Sequence, residues 1–165
     1  MTEAPRYSFR AVTVEDLPLL AAWQAHPHVR AWWDSEPYDA ADLADPRVAR
    51  WIVSIAERPF AFMQDYTVHG WDDHPFARLP AGSRGIDQFI GEPEMLGIGH
   101  GSAFIAARMK MLFDAGAPII GTDPHPDNAR AIAVYTKLGF EPAGEPRETQ
   151  WGLVLPMLAS RRPAA

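Results

Sequence analysis

Two short stretches of this chain combine residue types that could do chemistry. The first is Leu96-Gly97-Ile98-Gly99-His100-Gly101, followed by Ser102 and an apolar-periodic run. Three alternate glycines let a backbone come close to an anion, and the N–H groups at a helix start would face it. The second stretch, Asn128 to Phe140, sets Asn128 and Tyr135 seven residues apart, two turns along one helix face. The pair points to a pyrophosphate-bearing cofactor with an acid group nearby. A plain glycine-rich turn between a strand and a helix is the other reading of the first stretch. No Gly-Lys-Ser/Thr follows it, which excludes a P-loop, and its spacing is not that of a dinucleotide fingerprint.

These residues need elements to hold them. Tyr7 to Val12 alternates in polarity and reads as a strand, and Thr13 to Asp16 as a capping box that opens a helix running to Gln24. His26-Pro27-His28 breaks that helix, and residues 35–46 read as a loop with at most a helical turn. Residues 50–56 and 60–68 pair as a hairpin, 69–82 form a loop, and 83–90 form the strand before the glycines. The spacing predicts a helix over 101–114, a strand over 117–122, a helix over 126–138 ending on Gly139, and a last strand over 149–157. Mixed strands with crossover helices make an α+β fold, an α/β sandwich around one sheet. The expectation is a single domain over 1–165, with its core at about 7–158 and a disordered tail at 159–165.

Composition narrows the function. The formal charge is −6, which argues against general nucleic-acid binding and suits a cationic partner, although a mildly acidic soluble protein needs no such partner. The absence of cysteine excludes disulfides, thiolate metal sites and a cysteine nucleophile. No apolar run is long enough to span a membrane and no signal peptide is visible, so a cytoplasmic setting is expected. His26 and His28, and His69 and His74, lack third and fourth ligands at a familiar spacing, so no metal site is expected.

Leu96 to Gly101, the helix after it, and Asn128 through Phe140 resemble the acetyl-CoA-binding core of the GNAT N-acetyltransferases. Trp32-Trp33, Gln64-Asp65-Tyr66, Arg84 to Gln88, Thr122-Asp123-Pro124 and Asn128-x-Arg130-Ala131-Ile132-x-x-Tyr135 resemble one branch, the aminoglycoside 6′-N-acetyltransferases. The similarity runs from about Ser8 to Met157. Leu96 stands where the family usually has Gln or Arg, and the segment after Trp33 looks shorter than in the characterised resistance enzymes.

The resemblance implies a mixed, mostly antiparallel central sheet with splayed middle strands flanked by helices. It implies acetyl-CoA as cofactor, with coenzyme A as product. Gln88, Phe89, Ile90, Leu96 to Ser102, Asn128, Ala131 and Tyr135 would hold it. Asp87, expected at the end of its strand, would be the base, and Tyr135 would protonate the leaving thiolate. Trp32, Trp33, Asp34, Asp65, Tyr66, Asp72, Asp73, Asp87 and Asp123 would line the acceptor cleft, with one of the two tryptophans buried and the other facing it. The implied reaction is direct transfer, in a ternary complex, to a primary amine of a cationic small molecule, first of all an aminoglycoside 6′-amine. A siderophore precursor, another small amine or a protein N-terminus are alternative acceptors. A non-catalytic acetyl-CoA-binding module is the alternative from another class. Either a monomer or a homodimer would serve.

Overall fold

The computed structural model describes residues 6–34 and 36–161. Strands are β1 (Tyr7–Ala11), β2 (Val48–Ile55), β3 (Arg58–Thr67), β4 (Arg84–Ile90), β5 (Ile119–Thr122), β6 (Glu141–Pro142), β7 (Arg147–Thr149), β8 (Gly152–Val154) and β9 (Met157–Ser160). Helices are α1 (Leu17–Gln24), α2 (Pro27–Arg30), α3 (Ala40–Leu43), α4 (His100–Asp114) and α5 (Ala129–Lys137). A seven-stranded sheet has the order β1-β2-β3-β4-β5-β9-β6, and β7 and β8 form a separate hairpin. The β1/β2, β5/β9 and β6/β9 pairs are antiparallel and β4/β5 is parallel, the mixed, mostly antiparallel sheet expected. The β4/β5 ladder holds two residue pairs, Arg84 with Ile120 and Gly85 with Gly121, so these middle strands share only a short stretch, as splayed strands do.

The chain divides into two compact units: Met1–Gln64 with Gln88–Phe104, and Asp65–Asp87 with Ile105–Ala165. In the first, Asp16 accepts from the Thr13 backbone N–H at 2.8 Å, as the capping box predicts, and also takes a bidentate Arg10 at 2.9 and 2.8 Å. The His26-Pro27 break ends α1 and at once starts α2, since proline suits the first helical turn. A two-residue turn joins β2 to β3 with both Ala56 and Glu57 at positive φ, 47° and 66°, the type I′ combination. Leu20, Trp23, Val29, Ile52, Phe62 and Phe89 form this unit's core, with Trp33 and Tyr38 packed against it.

In the second unit two glycines let rings lie on the backbone. A Cβ on Gly85 would sit 2.2 Å from the Tyr66 ring, and one on Gly121 would sit 2.8 Å from Phe76. Both helices end as predicted on a left-handed glycine, Gly116 at φ 107° and Gly139 at φ 98°. The strand expected over 149–157 is instead the end of one hairpin and the start of another strand. Gly152 at φ 113° turns the chain, and Pro156, with no N–H to offer a ladder, separates β8 from β9. The last strand runs to Ser160, with Ala159 buried and paired to Ile120, so residues 159 and 160 belong to the sheet and not to a tail. Residues 162–165 of the expected tail lie outside the described residues.

Candidate active site

The second unit brings four of the expected residues together. Thr122 Oγ1 donates to the Ile86 carbonyl at 3.2 Å, just beyond the last β4/β5 ladder pair, and the residue that follows each of the two is an aspartate, Asp87 within β4 and Asp123 just past the end of β5. The Asp87 and Asp123 side chains hydrogen-bond each other. Burial first, and then the Asp87 charge, hold the Asp123 carboxyl well above the usual carboxylate range. Two carboxyl groups this close do not both ionise readily. Asp87 is the fourth residue of seven in β4, not the strand end expected, and this mid-strand position is what sets it across from Asp123. Tyr66 is 6% exposed, and burial, then Asp87, Asp123 and Tyr135, push its phenol well above its ordinary range, so it stays neutral.

Tyr135 lies in the last turn of α5 and is buried. Gly139 N–H donates to the Thr136 carbonyl at 3.1 Å and Phe140 N–H to the Tyr135 carbonyl at 3.0 Å, a Schellman ending. Its hydrophobic contact is the Tyr135–Phe140 ring pair, 5.4 Å between centroids. The helix starts later than predicted, at Ala129, and Asn128 is its N-cap: Oδ1 accepts from the Ala131 N–H at 3.2 Å. The cap uses the carbonyl oxygen of Asn128 and the N–H of Ala131, leaving the Asn128 amide nitrogen as the donor suited to a ligand.

Asp65 does not fit the acceptor-cleft role. Its side chain is 2% exposed and is gripped by Arg84 at 2.6 Å and by Arg108 at 2.8 and 3.0 Å, so its charge is spent inside the unit. Asp72 and Asp73 are exposed on the loop after β3, and Asp73 takes φ 51°, which Asp tolerates. The β7–β8 hairpin braces that loop. Gln150 Nε2 donates to the Asp72 carbonyl at 2.8 Å, and Trp151, half exposed, meets Trp71 edge-on at 6.1 Å and His74 at 5.2 Å. His74 is buried, accepts from the Phe76 N–H at 3.1 Å, and is pushed down to about 4 by burial, then by Arg147 and His69. The sequence alone does not single out Trp71, Gln150 or Trp151, and it weighs His74 only as a metal ligand. The available signal was two tryptophans in polar, glycine-bearing segments, where core packing does not demand them.

In the first unit the glycine loop has the form expected of an anion cradle. Gly97 and Gly99 take φ 72° and 93°, and α4 begins at His100. A Cβ on Gly99 would meet nothing within 4 Å, so the glycine serves the turn and leaves open space beside it. The N–H groups of His100, Gly101 and Ser102 have no intrahelical acceptor by construction. Ile98 is 65% exposed and Leu96 half-buried. His100 Nδ1 is hydrogen-bonded to the Tyr7 hydroxyl at 2.8 Å. At the end of β4, Phe89 is in the core and the Ile90 carbonyl is held by His28 Nε2 at 2.7 Å, so both have structural duties. Trp33 is the inward tryptophan, 4.9 Å from Phe89 and 5.8 Å from Phe62, while Trp32 is 51% exposed. Asp34 is exposed and caps the Glu36 N–H at 3.0 Å.

A close carboxyl pair with a buried tyrosine, and a left-handed glycine loop opening a helix, are parts that acyl transfer to an amine can use. Comparison with known proteins agrees. The acetyltransferase (GNAT) domain family matches residues 13–147. Aminoglycoside N(6′)-acetyltransferase type 1 of Klebsiella pneumoniae is 32% identical over 154 residues, covering 83% of this chain and 75% of that protein. A kanamycin resistance protein of Rhizobium radiobacter is 45% identical over 64 residues, 38% of this chain and 59% of that protein. The structure of aminoglycoside acetyltransferase AAC(6′)-Ib with coenzyme A and kanamycin matches with TM-score 0.83 at 31% identity, over 94% of this chain and 95% of that one. The same enzyme with paromomycin and acetyl-CoA matches with TM-score 0.81 at 31% identity, over 94% and 93%. The carboxyl pair, the tyrosine and the glycine loop thus stand in a chain that belongs to the GNAT acetyltransferases.

Proposed function

We propose that this chain is an acetyl-CoA-dependent N-acetyltransferase whose acceptor is the 6′-amine of an aminoglycoside, a cytoplasmic activity that confers antibiotic resistance. The observation that carries the reading is the Asp87–Asp123 pair, which stands with Tyr66 in the second unit. Acetyl-CoA supplies the acetyl group as a thioester. Gly97, Gly99 and the first N–H groups of α4 suit its pyrophosphate, and the Asn128 amide suits the pantetheine arm.

An aminoglycoside amine is protonated at neutral pH and must lose a proton to attack. The ionised carboxylate of the pair binds the ammonium and takes that proton, and the protonated partner steadies the charge. The amine nitrogen then bonds to the acetyl carbon and the carbon–sulfur bond breaks. The Tyr135 hydroxyl gives its proton to the departing thiolate, since a phenol is acidic enough to do so, and the phenolate takes back the second proton that the acylated nitrogen sheds, which leaves a neutral amide and a neutral thiol. Alignment of amine and thioester supplies much of the acceleration. Trp32 offers an exposed ring for a sugar, and Asp34, Asp72 and Asp73 offer charge for further amines. The polar side chains of Gln88 and Ser102 and the apolar ones of Leu96 and Ile98 complete the cofactor's surroundings.

The test is thiol release from acetyl-CoA with a panel of aminoglycosides, one carrying a hydroxyl in place of the 6′-amine. Turnover with every compound except the 6′-hydroxyl one is the expected result. Coenzyme A binding without turnover on any of them would discard the aminoglycoside as acceptor.

A further inference from the structure

Trp151 stands at the tip of the β7–β8 hairpin, where an indole is out of place. Thr149 pairs with Gly152, so Gln150 and Trp151 are the turn residues. Small polar residues suit such a turn, and here half of a tryptophan is left in water. The turn is nonetheless fixed. Thr149 Oγ1 accepts from the Trp151 N–H at 3.1 Å and donates to the Gly152 carbonyl at 2.8 Å. The Trp151 ring leans on Trp71 at 6.1 Å, edge to face, and on His74 at 5.2 Å. Trp71 is anchored in turn by its Nε1–H, which donates to the Thr67 carbonyl at 2.6 Å. Packing on these rings accounts for the covered half of Trp151 and not for the open half.

The row of rings leads to the carboxyl pair. Trp71 and His74 both meet Tyr66, at 6.3 and 5.6 Å between centroids. Tyr66 lies over Gly85 and within reach of the charges of Asp87 and Asp123. Trp151 is thus separated from the ring beside the pair by one intervening ring, a distance that a reacting sugar and its neighbour span. The hairpin also reaches the two exposed acids of the loop after β3. Gln150 Nε2 donates to the Asp72 carbonyl at 2.8 Å, and Arg147 Nη2 lies 4.0 Å from Asp73 Oδ1. Water screens that exposed ion pair, so a substrate ammonium can replace the guanidinium.

We infer that Trp151 is a specificity-determining residue: its open indole face, with Asp72 and Asp73 beside it, takes an ammonium-bearing ring of the acceptor next to the ring that carries the reacting amine. This rests on the aminoglycoside reading above. A cation over an indole face is attracted by the ring's quadrupole, and the neighbouring carboxylates accept from its remaining N–H groups. An indole already fixed by its turn loses little freedom on binding.

The test is steady-state kinetics with two acceptors: kanamycin, whose 6′-amino ring is joined to a ring bearing further amines, and a single-ring 6-amino-6-deoxyglucoside. Trp151→Leu keeps apolar bulk against Trp71 and His74 and removes the π face. It is expected to raise the kanamycin KM about three- to tenfold, the effect of losing a cation over an indole, with the loss in KM rather than kcat. The ratio of kcat/KM for kanamycin to that for the single-ring acceptor should fall by the same factor. Trp151→Phe, which keeps a π face, should recover part of the kanamycin affinity. An equal loss on both acceptors overturns the inference, because Trp151 is then only a brace for the loop. An unchanged kanamycin KM in Trp151→Leu overturns it as well. In either case turnover of kanamycin by the wild type would keep the aminoglycoside reading. A wild type that binds coenzyme A and turns over neither acceptor overturns both.

Discussion

Tyr135 and Phe140 are locked to each other by the turn that ends α5. The Phe140 N–H donates to the Tyr135 carbonyl at 3.0 Å, and the two rings meet at 5.4 Å and 64°. The proposed acid is thus seated by a residue five places along the chain, through Gly139 in its left-handed conformation. Phe140 is 1% exposed, so Phe140→Ala should cost about 3–5 kcal/mol in urea unfolding. Phe140→Leu should stay folded yet lower kcat, because Tyr135 loses its edge contact. Tyr135→Phe keeps the ring pair and removes only the hydroxyl, so kcat should fall about 10²- to 10⁴-fold with little change in stability. Equal rates for Tyr135→Phe and wild type would remove it as the acid.

The carboxyl pair predicts opposite effects on activity and stability. Asp87→Asn should lower kcat by about 10²- to 10⁴-fold in a folded protein. Asp123 is held above its unfolded pKa, so the folded state keeps a proton that the unfolded state gives up. Its contribution to stability is complete at low pH and is lost as pH rises from the ordinary carboxylate range through the raised value. Asp123→Asn should therefore raise the melting temperature more at pH 7 than at pH 4. A larger gain at pH 4 would contradict the assignment.

Asp65 should behave as a structural ion. It is buried between Arg84 and Arg108, and Asp65→Ala would take the carboxylate away from the largely buried Arg108 and the partly exposed Arg84. Breaking such a pair from one side costs about 3–5 kcal/mol, which the urea midpoint measures. Loss of acceptor affinity with undiminished stability would return Asp65 to the cleft.

The difference between these carboxylates marks what a sequence can convey. The glycine loop, both glycine helix ends and the capping box at Thr13 are local patterns, and each is legible because its hydrogen bonds close within a few residues. The Asp87–Asp123 pair depends on the parallel register of Gly85 with Gly121, which no local pattern specifies. Asp65 reads like any strand acid until Arg108, on a helix far along the chain, is seen to reach it. Residues 149–157 read as one strand because they are apolar enough, and only the left-handed Gly152 and Pro156 divide them into the end of the β7–β8 hairpin and the start of β9.

The β2–β3 turn offers a stabilising change. Ala56 and Glu57 are both left-handed, which costs an L-residue roughly 1–2 kcal/mol, whereas glycine bears none of this but loses about 0.5–1 kcal/mol of chain entropy. Glu57→Gly should raise stability by up to about 1 kcal/mol, read as a shift in the urea midpoint. A drop would show that Glu57 makes a compensating contact.

His74 predicts a specific acid sensitivity. It is buried among Tyr66, Trp71, Phe76 and Trp151 and is pushed down to about 4 by burial, then by Arg147 and His69. In the unfolded chain it takes a proton near pH 6.5, while in the folded protein it stays neutral until about pH 4. The unfolded state therefore binds more protons across this window, and stability falls as pH drops from about 6.5 to about 4. His74→Asn keeps an acceptor near the Nδ1 position for the Phe76 N–H and does not titrate. Its unfolding free energy should start below that of the wild type at pH 7, because the ring packing is lost, and the gap should narrow on acidification. Carboxylates that are protonated in the same range act equally on both proteins and cancel in the difference. Two parallel pH profiles would show that His74 takes up its proton in the folded protein as readily as in the unfolded chain.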